Sequence, residues 1–245
     1  MESIYENYFT VGYGDININT LEISDLGLLK IFQEMACSHA SIFGYGLNDI
    51  PNTHLTWLVL GWKFKIIKRP VYTQKILVKT WPRKSVKSIY YRDFELFSES
   101  GEKLCVATSK WVLVNTDTHA LVSQNEDIFK KFAPNPVTVF SDEIKKISVP
   151  DTFQNSVEYK ILRRDIDTND HVNNTIYLSL AYECLPEEVY KKLDFNLIEI
   201  MYKHECVLND TVLINYSATE NGFIVAIKNK YNDNLHAVIK YSNEF

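Results

Sequence analysis

The sequence predicts an α+β protein built from two tandem repeats, each a central helix wrapped by an antiparallel β-sheet, the two joined into one continuous sheet. Three observations carry this. One order of elements (a strand, a helix, then several strands) occurs in residues 1–124 and again in 156–245, across a linker expected at 125–155. Each copy holds one long amphipathic helix, and a lone helix can bury its apolar stripe only against one face of a sheet. The remaining segments are rich in β-branched and aromatic residues and broken by Pro and Gly turns, as strands are.

The elements follow in order. Val11-Gly12-Tyr13 is expected to open the first repeat, as Val157-Glu158-Tyr159 opens the second. After the capping pair Ser24-Asp25, the residues Leu28, Leu29, Phe32, Met35 and Ala36 recur at i, i+3, i+4 and i+7, the spacing of a buried helical stripe. Gly44 and Gly46 are placed to stop that helix. GWKFKIIK, KILVKTW, SIYYRDFELF and KWVLVN read as strands, separated by Pro70, Pro82 and the turn SESGE. The linker has weaker periodicity, three prolines (Pro134, Pro136, Pro150) and room for a short helix or two. In the second repeat NNTIYLSLAYECL reads as a helix capped at Asn173-Asn174, with Glu183 at the register of Glu34. LIEIMYKHECVL, TVLINYSAT, GFIVAIKNK and LHAVIKYS read as strands.

Bulk properties exclude several classes. The chain has 245 residues, 46% hydrophobic and 23% charged, as in a folded water-soluble protein rather than a disordered one. A net charge of -5 argues against general nucleic-acid binding, which relies on many basic contacts. No apolar run reaches the ~20 residues of a membrane helix. The N-terminal MESIYENYFTVGYGD is acidic where a signal peptide would be basic. Cys37, Cys105, Cys184 and Cys206 are scattered, so neither a disulfide framework nor a zinc motif is expected, and a reduced, cytoplasmic location is.

The densest chemistry lies in RRDIDTNDHVNNTIYLSLAYECLP, residues 163–186. Asp167, Asn169 and His171 alternate, so an extended backbone would turn their side chains to one side. Two residues later Asn173 can cap a helix whose first N–H groups lack intrahelical partners and could receive a developing oxyanion. Glu205, expected on the strand after that helix, is a candidate base with its carboxylate partly desolvated; His171 is the other. Cys206 offers a competing nucleophilic route, disfavoured because a neighbouring glutamate does nothing to stabilise a thiolate. The plainer reading of the loop is a capped helix with Asx turns, in which Asn173 and Asn174 satisfy only backbone groups.

Taken together these residues resemble the bacterial and plant acyl-acyl-carrier-protein (acyl-ACP) thioesterases, and the paired repeats resemble the hotdog fold. The motif D-x-N-x-H-V-N-N-x-x-Y stands here as Asp167, Asn169, His171, Val172, Asn173, Asn174 and Tyr177, and Y-x-x-E-C as Tyr202, Glu205 and Cys206. The resemblance implies hydrolysis of fatty acyl-ACP with release of free fatty acid. It implies Asp167, Asn169, His171, Glu205 and Cys206 at the catalytic site, and Asn173, Asn174 and Tyr177 near substrate; Trp57, on a strand where core packing is the default, is a further candidate to line the acyl pocket. It implies no cofactor or metal, and acyl carrier protein as partner, with a homodimer left open. The chain carries no plastid-targeting extension, so a bacterial member is expected. An acyl-coenzyme A thioesterase and a non-catalytic acyl-binding protein are the alternatives.

Two further expectations complete the reading. Ile18, Thr20 and Glu22 occupy the loop register in the first repeat, so one active site per chain is expected and the first repeat is left to shape an acyl cavity. Between Asp49 and Asp93 no acid occurs, while Lys63, Lys65, Lys68, Arg69, Lys75, Lys79, Arg83, Lys84 and Lys87 do. Such a surface would steer an acidic carrier protein, or is an ordinary solvated strand face. His39, His54, His119 and His236 read as structural or surface residues, and His204 as facing away from Glu205. The other cysteines and Trp62, Trp81 and Trp111 read as core.

Overall fold

Helix α1 (Asp25–Ile42) forms where the apolar spacing places it, and the whole predicted stripe is buried. The Ser24 hydroxyl accepts the Gly27 N–H at 3.0 Å and caps it. At the far end Gly44 adopts φ 77°, the left-handed turn that a residue without Cβ takes at little cost. Leu28, Leu29, Phe32 and Met35 are fully buried, each worth ~1.5–3 kcal/mol of apolar transfer.

The computed structural model describes residues 3–123, 128 and 131–244, and divides into two units, Met1–Ile144 and Lys145–Phe245. In the first unit the strands are β1 (Tyr5–Thr10), β2 (Leu55–Ile66), β3 (Lys75–Pro82), β4 (Tyr90–Ser98) and β5 (Lys103–Asn115), all antiparallel in the order β1-β3-β4-β5-β2. A single helical turn, α2 (Ile50–Thr53), leads into β2. Helix α1 packs on β1 and β3. The Phe32 ring meets Trp62, Phe64 and Phe94, at centroid separations of 6.5, 6.3 and 5.2 Å.

The second unit repeats this layout. Its strands β6 (Asn155–Lys160), β7 (Leu197–Tyr202), β8 (Thr211–Thr219), β9 (Gly222–Asn229) and β10 (Leu235–Ser242) run antiparallel in the order β6-β8-β9-β10-β7. Helix α3 (Asn174–Glu183) packs on β8, β9 and β10. A short α4 (Glu187–Lys192) follows. The apolar pattern does not announce α4, because Val189 and Tyr190 are its only nonpolar residues; Glu187 and Glu188 at its start and Lys191 and Lys192 at its end complement its dipole. Phe223 stacks on Tyr241 at 4.6 Å and anchors the core of the unit.

The observed boundaries correct three expectations. Strand β1 ends before Val11-Gly12-Tyr13, and Tyr13–Asp15 is instead a 3-10 turn. The match of Val11 to Val157 is four residues out of register. Val11 donates to the Gln74 carbonyl at 3.0 Å as Ile161 donates to that of Asp210 at 2.8 Å, so Val11 corresponds to Ile161. Strand β7 stops at Tyr202, short of Glu205, where its ladder with β10 ends at the Ala237–Tyr202 pair.

Of the expected linker, residues 125–127, 129 and 130 lie outside the described residues. From 133 to 154 the chain has no helix or strand but is tied to side chains. Val137 accepts the Trp81 indole N–H at 3.0 Å, and the Val139 N–H reaches the Asp93 carboxylate at 3.0 Å. Nearer the second repeat, Ile147 packs with Met201 and Val238.

Candidate active site

The polar loop is a turn, not an extended strand. Asp167 Oδ1 accepts the Asn169 N–H at 2.8 Å, and the Asp170 N–H closes on the Asp167 carbonyl at 3.2 Å. Asp170 takes φ 61°, a left-handed conformation that a short Asx side chain tolerates. The Asp167 N–H then bonds the His171 carbonyl at 2.8 Å and closes the loop. The predicted alternation of Asp167, Asn169 and His171 along one extended face is thereby corrected. Among the described residues the Asp167 carboxylate makes no hydrogen bond to the imidazole; its partner is backbone.

Two backbone links fix what lies opposite. His171 and Val207 form an antiparallel bridge, and the Val172 N–H bonds the Cys206 carbonyl at 2.8 Å. Together they bring the segment after β7 alongside the loop. His171 Nε2 then lies 3.2 Å from Glu205 Oε2, with the side chains 33% and 62% exposed. Glu205 therefore stands in an irregular segment at the surface, not on a strand and not desolvated. Its reach comes from backbone pairing rather than burial.

The helix entrance is more occupied than expected. Asn173 Oδ1 accepts both the Thr175 N–H and the Thr175 hydroxyl at 2.9 Å, and the Ile176 N–H returns to the Asn173 carbonyl at 2.9 Å. Asn173 is thus the N-cap, and two of the amides expected to await an oxyanion are already bonded. Asn174 begins α3, and its carbonyl accepts the Tyr202 hydroxyl at 2.9 Å. Tyr177 is buried beside Tyr202, ring centroids 5.7 Å apart, and burial raises the pKa of both phenols. Asn169 is half-buried, and its side-chain amide makes no hydrogen bond among the described residues.

Cys206 is fully buried, and its thiol points to Asp210 Oδ2 at 3.5 Å. Burial first, and the Asp210 charge second, push that thiol up to about 12. A thiol held this high is a poor nucleophile near neutrality. Sequence reasoning missed Asp210, which also accepts the Val207 N–H at 3.0 Å and so shapes the turn behind Glu205. The adjacent Asn209-Asp210 pair was a turn signal that could have drawn attention to it. It missed Tyr202 as a support of the helix start, although that residue belongs to the quoted motif.

The first repeat is a control within the same chain. Its loop has one more residue. The Asn17 N–H bonds the Glu22 carbonyl at 2.8 Å, and Asn17 Oδ1 accepts the Asn19 N–H at 2.9 Å. Asn17, Asn19 and Glu22 are therefore the counterparts of Asp167, Asn169 and His171, which corrects the assignment to Ile18, Thr20 and Glu22. The Ile23 N–H bonds the Pro70 carbonyl at 2.8 Å as Val172 does that of Cys206, so Arg69 stands where Glu205 does. Arg69 is bound to Asp25 at 2.6 Å. The first repeat thus has a carboxylate in place of the imidazole and a guanidinium in place of the Glu205 carboxylate.

The acid-free stretch is largely neutralised by acids from elsewhere in its unit. Lys63 pairs with Asp142, Lys68 with Glu102, Arg69 with Asp25, Lys75 with Glu99, Lys79 with Glu6 and Arg83 with Asp93, at 2.6–3.7 Å. Lys84 and Lys87, exposed between β3 and β4, have no ion pair among the described residues. A tenth basic residue of the interval, Arg92, is buried against His39 at 2.8 Å, and the expected electropositive surface is thus not formed. Trp57, on β2, meets Tyr90 edge-on at 5.0 Å and joins the cluster of Ala40, Phe43, Leu113, Ile128 and Phe132. Its indole nitrogen is buried without a hydrogen-bond partner among the described residues.

Residues 2–132 match the family model of the acyl-ACP thioesterase N-terminal domain, and residues 149–243 that of the acyl-ACP thioesterase C-terminal domain. The chain is 29% identical over 225 residues to oleoyl-acyl carrier protein thioesterase 1, chloroplastic, of Arabidopsis thaliana, covering 85% of this chain and 62% of that protein. It is 27% identical over 212 residues to dodecanoyl-[acyl-carrier-protein] hydrolase, chloroplastic, of Umbellularia californica, covering 81% and 55%. The chain thus spans about three fifths of the length of the oleoyl-acyl carrier protein thioesterases it matches. Among solved structures it resembles an acyl-ACP thioesterase from Bacteroides thetaiotaomicron at a TM-score of 0.86 and 20% identity, covering 99% of this chain and 98% of that one. The 12:0-ACP thioesterase of Umbellularia californica gives the same score and identity, covering 99% and 97%. These likenesses show the tandem hotdog fold.

Proposed function

The chain belongs to the acyl-ACP thioesterase family, and on that premise we propose that it hydrolyses fatty acyl-acyl carrier protein, releasing free fatty acid and ending chain elongation. The observation that carries the reading is the His171–Glu205 pair at 3.2 Å, beside a side-chain amide at Asn169 with no partner among the described residues. The Glu205 carboxylate takes a proton from water, and the new C–O bond forms at the thioester carbonyl. His171, donating from Nε2, holds the carboxylate in place; the Asn169 amide stabilises the oxyanion. As the C–S bond breaks, the proton passes from Glu205 to the departing thiolate. Asp167 acts through the backbone, by closing the turn that presents Asn169 and His171. Asn173, Asn174 and Tyr177 build the helix entrance, and the Trp57 cluster is offered as a wall of the acyl cavity.

Four free cysteines support a reducing compartment, the cytoplasm. No helix among the described residues is long and apolar enough to cross a membrane. The carrier protein is proposed from the family, since the basic stretch no longer argues for it. The test is to compare rates on one acyl group carried by acyl carrier protein and by coenzyme A. Faster release from the protein carrier is expected; equal or faster release from coenzyme A overturns the carrier assignment. Tight acyl binding with no turnover on either would make the protein a binding module.

A further inference from the structure

Behind the catalytic turn lies a second cluster that the hydrolytic route does not use. The thiol of Cys206, a carboxylate oxygen of Asp210 and a ring nitrogen of His236 all lie within 4.8 Å of one another. His236, read from the sequence as structural or surface, is 3% exposed. Its Nδ1 meets the His204 carbonyl at 3.0 Å, which makes that nitrogen the donor and leaves Nε2 with a bare lone pair. Nε2 is sealed from solvent and has no hydrogen-bond partner among the described residues. A buried imidazole nitrogen without a donor is costly unless something else binds the lone pair.

We propose that Cys206, Asp210 and His236 form a binding site for a borderline-soft divalent transition metal of the zinc class, with water in the fourth position. The donor set suits such an ion: one thiolate, one neutral imidazole and one carboxylate. Two of the three are already oriented from behind, His236 by the His204 carbonyl and Asp210 by the Val207 N–H at 3.0 Å, as metal ligands commonly are. Donors around a tetrahedral ion sit roughly 3.3–3.8 Å apart, so the longest separation contracts by about 1 Å on binding. Cys206 and His236 are buried and Asp210 is half-buried, which puts the entrance on the Asp210 side.

The fold does not demand these residues. Pairing of the same backbone groups places Pro70, Gln74 and Leu104 of the first repeat at the positions of Cys206, Asp210 and His236. That repeat forms the same turn without one metal ligand. The site also explains why cysteine spacing predicted nothing: the imidazole arrives from β10, 30 residues beyond Cys206. Binding replaces the S–H bond by a metal–sulfur bond and releases the thiol proton to solvent. The thiol is the donor to Asp210 Oδ2 at 3.5 Å and so carries its hydrogen, and about one proton leaves per metal bound.

The proposal does not rest on the hydrolase reading, and its test does not use turnover. Metal-free protein is titrated with Co(II), read by the thiolate-to-cobalt charge-transfer band and by proton release at constant pH. One equivalent bound, with about one proton released, is expected. His236→Gln and Asp210→Asn, checked for folding by circular dichroism, should each weaken binding at least ~100-fold, the upper end of what loss of a supporting residue costs. X-ray absorption of the zinc-loaded, unsubstituted protein reads the ligands without any variant. One sulfur at ~2.3 Å with nitrogen and oxygen at ~2.0–2.2 Å is expected. No charge-transfer band, a band unchanged in both folded variants, or a zinc shell without sulfur overturns the site.

Discussion

Glu205→Gln separates catalysis from stability more sharply than any other change. The substitution keeps the size and hydrogen-bonding reach of the side chain and removes its charge. The pair it disrupts spans 3.2 Å, but the glutamate is 62% exposed and the histidine 33%. A pair so exposed contributes ~0–1 kcal/mol to folding, at most about 2–4 °C in Tm for a chain of this size. Removal of a general base costs about 10²–10⁴ in rate, roughly 2.7–5.5 kcal/mol of barrier. Thiol release from acyl-acyl carrier protein, with kcat and KM determined separately, and a thermal melt on the same sample measure both. A kcat lowered at least about 100-fold with KM within about threefold and Tm nearly unchanged is the expected result. A variant keeping more than about a third of the parent kcat would refute the assignment of Glu205 as base. A large fall in Tm accompanying the loss would make Glu205 a structural residue instead.

Other predictions follow from the same geometry. Cys206→Ser keeps a hydroxyl donor for Asp210 and should retain kcat within about threefold, whereas lost turnover together with an acyl adduct on Cys206 seen by mass spectrometry would establish the nucleophilic route. Asn173→Ala removes the cap of α3 and should cost ~1 kcal/mol in urea unfolding; an unchanged midpoint would show that Thr175 caps itself. His39 is buried and accepts from Arg92 at 2.8 Å, and burial, then the guanidinium, lowers its pKa from 6.5 to about 3. The unfolded chain therefore takes up the proton first. Its share of stability is full above about pH 6.5 and falls by up to ~1.4 kcal/mol per pH unit below that, levelling off near pH 3. His39→Gln should remove that slope between about pH 6 and 4, read by urea unfolding across pH; an identical slope in the variant would reject the linkage.

What the sequence determined alone is what near neighbours along the chain decide. The stripe of α1, its Ser24 cap and the Asn173 cap of α3 depend on residues three or four positions apart, so periodicity and residue type reveal them. The twofold repeat and the D-x-N-x-H-V-N-N motif are legible for the same reason. The tertiary structure decided the rest. His171 and Glu205 meet because a bridge to Val207 and one backbone bond to Cys206 bring together segments far apart in the sequence. The acid-free stretch lost its field to acids as remote as Glu6 and Asp142. One extra residue in the first loop shifted the repeat register, the ladder of β7 with β10 ended before Glu205, and His236 of β10 came within reach of Cys206. Charge, burial and approach across such separations depend on how loops close and strands pair, and local pattern holds no record of either.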